Sequence, residues 1–264
     1  MKVALEGKVA IVTASTRGIG FAIAQGLYNS GAAVCICGRD STSLDASVQS
    51  LAASDSSRVL GLAGDIADSK FLVDLTEAVR TRFGHGADIL VNNSGGPPAG
   101  EALSITEDQW SNAIDSNLRS VIRLCNLVVT GMKERGWGRI INLTSTAARE
   151  PAAGMVLSNV TRAGVAAYSK TLSQEVGPFG ITVNTILTGG CLTDRLHSLI
   201  ERNLKDTGES LEDALARIEK TIPVRHISTP EEFAQTALFL ASPEASFITG
   251  AAIPVDGGAS KSIF

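Results

Sequence analysis

The chain has 264 residues, 44 % apolar and 19 % charged, enough for one sizeable core and too apolar for wholesale disorder. Lys and Arg number 23 against 27 Asp and Glu, a formal charge of −4 with no basic block, so nucleic acid is not an expected partner. The apolar runs stop short of the roughly 20 residues of a membrane helix, and the N-terminus lacks a signal-peptide core. Cys35, Cys37, Cys125 and Cys191 have no zinc-type spacing, so no metal is expected, and packed, reduced thiols suit a cytoplasmic protein.

In chain order, short apolar runs alternate with longer amphipathic ones. Val9–Thr13 reads as a strand and Gly18–Ser30 as the helix after it; Ala33–Cys37 with Ser41–Ala53, and Val59–Ala63 with Ser69–Phe83, repeat the pair. Ile89–Asn92 precedes a long helix, Thr106–Glu134, with a break near Asn117, and Ile140–Leu143 precedes another, Ala152–Val176. Ile181–Leu187 leads into a charged excursion, Leu192–Thr221, holding two short helical patterns in the position of a substrate lid. Helix Pro230–Leu240, opened by Thr229-Pro230-Glu231-Glu232, and strand Ala251–Val255 complete the chain. Several strands are almost continuously apolar, as strands covered on both faces are. The alternation predicts one domain of doubly wound α/β type: a seven-stranded parallel sheet with helices on both faces.

The first strand runs into Thr13-Ala14-Ser15-Thr16-Arg17-Gly18-Ile19-Gly20 and then a helix. Glycines at such a turn let backbone approach a pyrophosphate, and the helix N-terminus supplies N–H donors. The second strand ends Cys37-Gly38-Arg39-Asp40, where an NAD-selective site usually carries an acid for the ribose 2′-hydroxyl. Arg39, with Arg17 in the loop, suits a 2′-phosphate instead, so NADP(H) is the expected cofactor; the alternative is an ordinary solvated arginine.

At these residues the chain resembles the short-chain dehydrogenase/reductase family over nearly its whole length, and its tail resembles the 3-oxoacyl reductase group most. The loop matches the family's Thr-Gly-x-x-x-Gly-x-Gly with Ala14 for the first glycine, which implies cofactor roles for Thr13, Ser15, Arg17, Gly18, Ile19 and Gly20. Asp65-Ile66 resembles the family's adenine-contacting pair, and Asn92-Asn93-Ser94-Gly95 its Asn-Asn-Ala-Gly turn, which implies cofactor contacts at Asp65, Ile66, Asn93 and Gly95. Thr188-Gly189 stands for its Pro-Gly, with Gly189 and Thr193 at the nicotinamide end. Asn117 and Ser145 fall on its catalytic Asn and Ser, and Asp256-Gly257-Gly258 is also family-like.

The family's Tyr-x-x-x-Lys reads Ser158-Asn159-Val160-Thr161-Arg162. In the family the Tyr donates a proton to the carbonyl, and the Lys lowers its pKa and holds the ribose. An alkyl hydroxyl is far less acidic than a phenol at about pKa 10, and a guanidinium keeps its charge without shuttling a proton. The i, i+4 spacing still puts Ser158 and Arg162 on one helix face. Tyr168 is about 15 Å further along that helix and on another face, so it is expected to pack. Tyr28, Trp110 and Trp137 read as structural or interface residues and His85 as surface, while His197 leans toward either a lid surface or the pocket.

Three functions remain open. One is an NADP(H)-dependent reductase of a 3-oxoacyl-like ketone, with water or His197 in place of the Tyr. Another is reduction of an enoyl or dienoyl thioester C=C bond, as in the 2,4-dienoyl-CoA reductases, which also carry Ser at the Tyr position but keep the Lys. The third is a catalytically impaired NADP-binding protein. The resemblance further implies a small carbonyl or acyl thioester substrate and a homotetramer.

Overall fold

The computed structural model describes residues 3–52, 55–204 and 208–263, without the side chains of residues 202 and 203. The apolar runs become strands β1 (Val9–Val12), β2 (Ala33–Gly38), β3 (Val59–Ala63), β4 (Ile89–Asn92), β5 (Gly138–Leu143), β6 (Ile181–Thr188) and β7 (Ala252–Val255). Every neighbouring pair is parallel, in the order β3-β2-β1-β4-β5-β6-β7. The order reverses between β1 and β4, and the crevice at the carboxyl ends of those two strands is where such sheets take ligands.

Helices cover both faces because each strand is apolar on both. One layer contains α1 (Gly18–Asn29), α2 (Ser41–Leu51) and α9 (Pro230–Ala241); Ile23, Leu27, Leu44, Phe233 and Leu240 pack there on Val12, Ile36 and Ile141. The other contains α3 (Ser69–Phe83), α5 (Ser120–Arg135) and α6 (Val156–Val176); Leu72, Leu75, Leu124, Met132 and Val165 pack there on Ile11, Cys35, Leu90 and Ile140. All four cysteines are buried and free, and burial pushes the Cys37 and Cys191 thiols up to about 11 and the Cys125 thiol up to about 12. Tyr28 donates its hydroxyl to the Asp55 carbonyl, and Trp137 lies between Lys8 and Arg139.

Three expected helices differ in detail. Residues 151–155 stay outside α6 because Gly154 turns at φ 69° and its carbonyl accepts from Gly100 N at 2.7 Å, so the helix begins at Val156 rather than Ala152. Helix α2 ends at Leu51, and the expected end at Ala53 lies outside the described residues. The predicted break near Asn117 is a π-helical turn, Asp115–Arg119, joining α4 (Glu107–Ile114) to α5 without interruption. There the Ser116 and Ser120 hydroxyls donate to the carbonyls four residues back, a bond that competes with the helix ladder. The excursion after β6 forms α7 (Asp194–Leu204) and α8 (Leu211–Thr221).

Candidate active site

The loop after β1 is tied to the turn after β4. Thr13 Oγ1 donates to the Asn93 carbonyl at 2.6 Å and accepts from Asn93 N at 2.8 Å, while Asn93 Nδ2 donates to the Ala14 carbonyl at 2.9 Å. Ser15 donates to the Val12 carbonyl and accepts from Cys37 N, joining the loop to β2. A Cβ on Gly20 would sit 2.6 Å from both the Ala14 carbonyl and Asn93 Nδ2, so only glycine lets α1 start this close to the loop. Ala14 itself has φ 45°, a left-handed conformation costing an L-residue about 1–2 kcal/mol, and it stands where the resemblance expects glycine.

The N-terminus of α1 carries no side-chain cap, a feature it shares with α6. Arg17 at its N-cap makes no side-chain cap bond and no acid occupies the first turn, whereas α2, α3, α4 and α9 are capped by Asp40, Asp68, Thr106 and Thr229. Uncapped N–H groups and helix dipole together favour a phosphate. At the end of β2 the Arg39 guanidinium is 81 % exposed and 3.9 Å from Asp65, whose carboxylate also accepts from Ala67 N. Ile66 is half-buried against the layer of α3, α5 and α6. Glycine cradle, uncapped helix and two exposed, loosely paired arginines fit a phosphorylated dinucleotide.

Asn117, Ser145, Ser158 and Arg162 come from the π turn, the end of β5 and α6. Asn117 is 1 % exposed; its Oδ1 accepts from Ser94 Oγ at 2.9 Å and its Nδ2 donates to Ser116 Oγ at 2.8 Å. Ser145 caps the 3-10 turn Thr146–Ala148 by accepting from Ala147 N at 3.2 Å, which uses a lone pair and leaves its proton to donate. Ser158 is a buried residue one helical turn before Arg162. Arg162, 8 % exposed, donates from Nη1 to the Leu143 carbonyl at 2.9 Å and from Nη2 to the Ser94 carbonyl at 3.5 Å; its buried Nε has no partner. Desolvation pulls its pKa down to about 10, still a cation at neutral pH.

Sequence reasoning missed the groups that set these side chains in place. Asn92 donates to Asn142 Oδ1 at 2.7 Å, Asn142 donates to Ser169 Oγ at 2.7 Å, and Ser169 donates to the Val165 carbonyl. This buried chain pins β4 and β5 to the helix carrying Ser158 and Arg162. Asn142 is a polar residue inside the otherwise apolar run Ile140–Leu143, and that isolation is the signal that could have found it. Tyr168 is a packing residue beside Cys125, as expected. His85 is less free than a surface residue: its Nδ1 lies 2.9 Å from the Gly86 carbonyl.

The start of the excursion touches both the glycine loop and the turn after β4. Thr193 packs on Gly18 and accepts from Leu196 N, capping α7. Asp194 pairs with Arg17 at 3.4 Å, and Arg195 donates to the Pro97 carbonyl at 3.0 Å. Gly189 sits where a Cβ would lie 2.7 Å from Asp256 Cα, and its N–H donates to the Val255 carbonyl. His197 is half-buried on α7, and Gly95 lies on the turn between Asn93 and Pro97 with open space where a Cβ would point. Among the described residues no cluster fit for a metal ion exists and no helix is long and apolar enough to cross a membrane.

Residues 13–260 match the protein family described as Enoyl-(Acyl carrier protein) reductase. The chain is 35 % identical over 254 residues to the 3-oxoacyl-acyl-carrier-protein reductase FabG of Vibrio cholerae, covering 96 % of this chain and 98 % of the relative. The L-sorbose reductase of Gluconobacter frateurii, solved with NADPH and L-sorbose, superposes with a TM-score of 0.94 at 34 % identity, covering both chains in full. YwfH, described as an NADPH-dependent reductase involved in bacilysin biosynthesis, superposes at 0.91 with 30 % identity over 97 % of this chain and 99 % of that one.

Proposed function

The chain belongs to the short-chain dehydrogenase/reductase family, and on that premise we propose that it is an NADP(H)-dependent reductase of a ketone, 3-oxoacyl-like or similar, with a non-standard active site. The reading is supported by one arrangement: Ser158 and Arg162 share a face of α6 at the positions where the resemblance expects Tyr and Lys, and Arg162 donates to the carbonyl of Ser94, whose hydroxyl bonds Asn117. Arg39 and Arg17 hold the 2′-phosphate, the α1 N-terminus the pyrophosphate, and Thr193 and Gly189 the nicotinamide end. NADPH bound there supplies a hydride. Ser145 donates a hydrogen bond, not its proton, to the substrate oxygen, Arg162 holds the ribose and stabilises negative charge developing on that oxygen, and Asn117 keeps the α4–α5 joint in shape. The final proton comes from water or from His197.

A second reading follows from Ser158. Hydride addition to a conjugated enoyl thioester yields an enolate that water protonates at carbon, so it needs no phenol. NADPH oxidation with matched 3-oxoacyl and enoyl or dienoyl thioesters separates the two. Ketone turnover alone supports the first reading, C=C turnover alone the second, and NADPH binding without either identifies a catalytically impaired protein. The assembly is read as a homotetramer built on α5, α6 and β7; exposed Leu127 and Val160 on the two helices support this.

A further inference from the structure

Two guanidinium groups brace one turn of the crevice, and neither faces a carboxylate. The turn Ser94–Pro97 leaves β4 at the point where the strand order reverses. Arg162 reaches the Ser94 carbonyl from below, through α6, and Arg195 reaches the Pro97 carbonyl from the first turn of α7. The Arg195 guanidinium also lies over Gly96, with Nη2 and Nε 3.5 and 3.7 Å from where a Cβ would be. Among the described residues no Asp or Glu forms an ion pair with either arginine.

Acids outnumber bases in this chain, yet several other arginines also bind only backbone carbonyls, among them Arg82, Arg139 and Arg149. Arg58, Arg80, Arg119, Arg135 and Arg217 each pair with a nearby carboxylate. The acids around the crevice are engaged elsewhere: Asp194 on Arg17, and Glu150 on the backbone N–H groups of Lys261 and Ser262. Glu101 stands on the far loop, beside Gly154. Arg162 is the buried cation of the two, and a buried cation without a counter-charge is costly, so it favours an anion nearby, while Arg195 is exposed and within reach of one. Arg195 holds only a neutral carbonyl, and its other N–H groups make no hydrogen bond among the described residues. Exchanging that carbonyl for a carboxylate yields a stronger, charge-assisted and two-pronged contact.

We propose that the crevice reads a carboxylate on its substrate and that Arg195 takes it, so the substrate is a carboxylate-bearing ketone or enone, not a neutral acyl chain on a thioester carrier. The substrate class rests on the hydride-transfer reading above; the carboxylate contact does not. Arg162 adds long-range attraction from beneath the same turn.

The test is a calorimetric titration of the complex with NADP+, in which no ketone is reduced. The probes are 4-oxo-4-phenylbutanoate, its methyl ester and 3-oxobutanoyl-CoA. The acid is expected to bind at least about tenfold more tightly than the ester. Arg195→Gln removes that preference while leaving ester affinity unchanged, and Arg195→Lys restores part of it. Thermal melting confirms that both variants fold, since Arg195 is exposed. Equal binding of acid and ester, no binding of the acid, a preference that survives Arg195→Gln, or tighter binding of the CoA thioester each overturn the proposal. Absence of NADPH oxidation with every ketone and enoyl substrate instead overturns the hydride-transfer reading, and leaves the binding result standing.

Discussion

The Ser94 hydroxyl donates a 2.9 Å hydrogen bond to Oδ1 of Asn117, so the turn leaving β4 grips the π-helical turn through one side-chain contact. Ser94→Ala leaves that oxygen unsatisfied in a site 1 % exposed. The expected loss is about 1–3 kcal/mol of unfolding free energy. Urea denaturation measures it, and a midpoint unchanged from wild type would show the bond to be dispensable.

NADPH is expected to bind far more tightly than NADH. Arg39 is bound only loosely to Asp65, at 3.9 Å, and exchanges it readily for a phosphate. Phosphate–arginine contacts contribute about 1.5–3 kcal/mol, so Arg39→Ala should lose about tenfold or more in NADPH affinity and little for NADH. Fluorescence titration of both cofactors reports this; equal wild-type affinities would remove the basis of the assignment.

Segment 192–221 is expected to act as a lid. Its polar hold on the glycine loop is the Arg17–Asp194 pair, with side chains 79 % and 75 % exposed, and pairs of that kind contribute about 0–1 kcal/mol; Thr193 adds a small apolar contact on Gly18. Amide exchange in α7 and α8 should therefore be fast in the free protein and slow once cofactor and substrate are bound. Strong protection without ligand would count against a lid.

Ordinary ketone reduction is expected to be slow, since loss of a matched general acid typically costs about 10²–10⁴ in rate. The double variant Ser158→Tyr with Arg162→Lys should raise turnover of simple 3-oxoacyl substrates, because i, i+4 geometry aims the new pair into the same space. C=C reduction should gain little. A wild type reducing 3-oxoacyl substrates at the family's ordinary rate would mean that another group supplies the proton, with His197 the first to test.

Turnover should also be flat across the neutral range. A serine hydroxyl does not titrate there, and Arg162, lowered only to about 10, stays charged. A sigmoidal rate profile between about pH 6 and pH 8 would implicate a histidine instead. His226, outside the crevice, is a control: Glu232 raises its pKa, so the pair's contribution is present at low pH and fades as pH climbs through the raised value. Removing it by His226→Gln should leave turnover unchanged.

The strand–helix alternation, the sheet's parallel character and the tight glycine-rich turn after β1 were legible in the sequence because each is a local pattern. Continuous apolar runs such as Val9–Val12 can only be strands covered on both sides, and the glycines at Gly18 and Gly20 mark a turn that a Cβ would obstruct. Ser158 and Arg162 share a helix face for an equally local reason, their four-residue separation in a run of helical period.

Tertiary structure alone decided the contacts between segments far apart in the chain. The Asn92–Asn142–Ser169 chain, the Ser94–Asn117 bond and the approach of Arg195 to Pro97 each join elements that periodicity treats separately. The π turn at Asn117 and the late start of α6 at Val156 were hidden for the same reason. A hydroxyl bonding back into the ladder, and a carbonyl claimed by Gly100, depend on partners that local propensity does not contain. Charge was the least legible of all. Composition shows an acidic chain, and only the packing of α6 and α7 around one turn leaves two guanidinium groups there without a counter-charge.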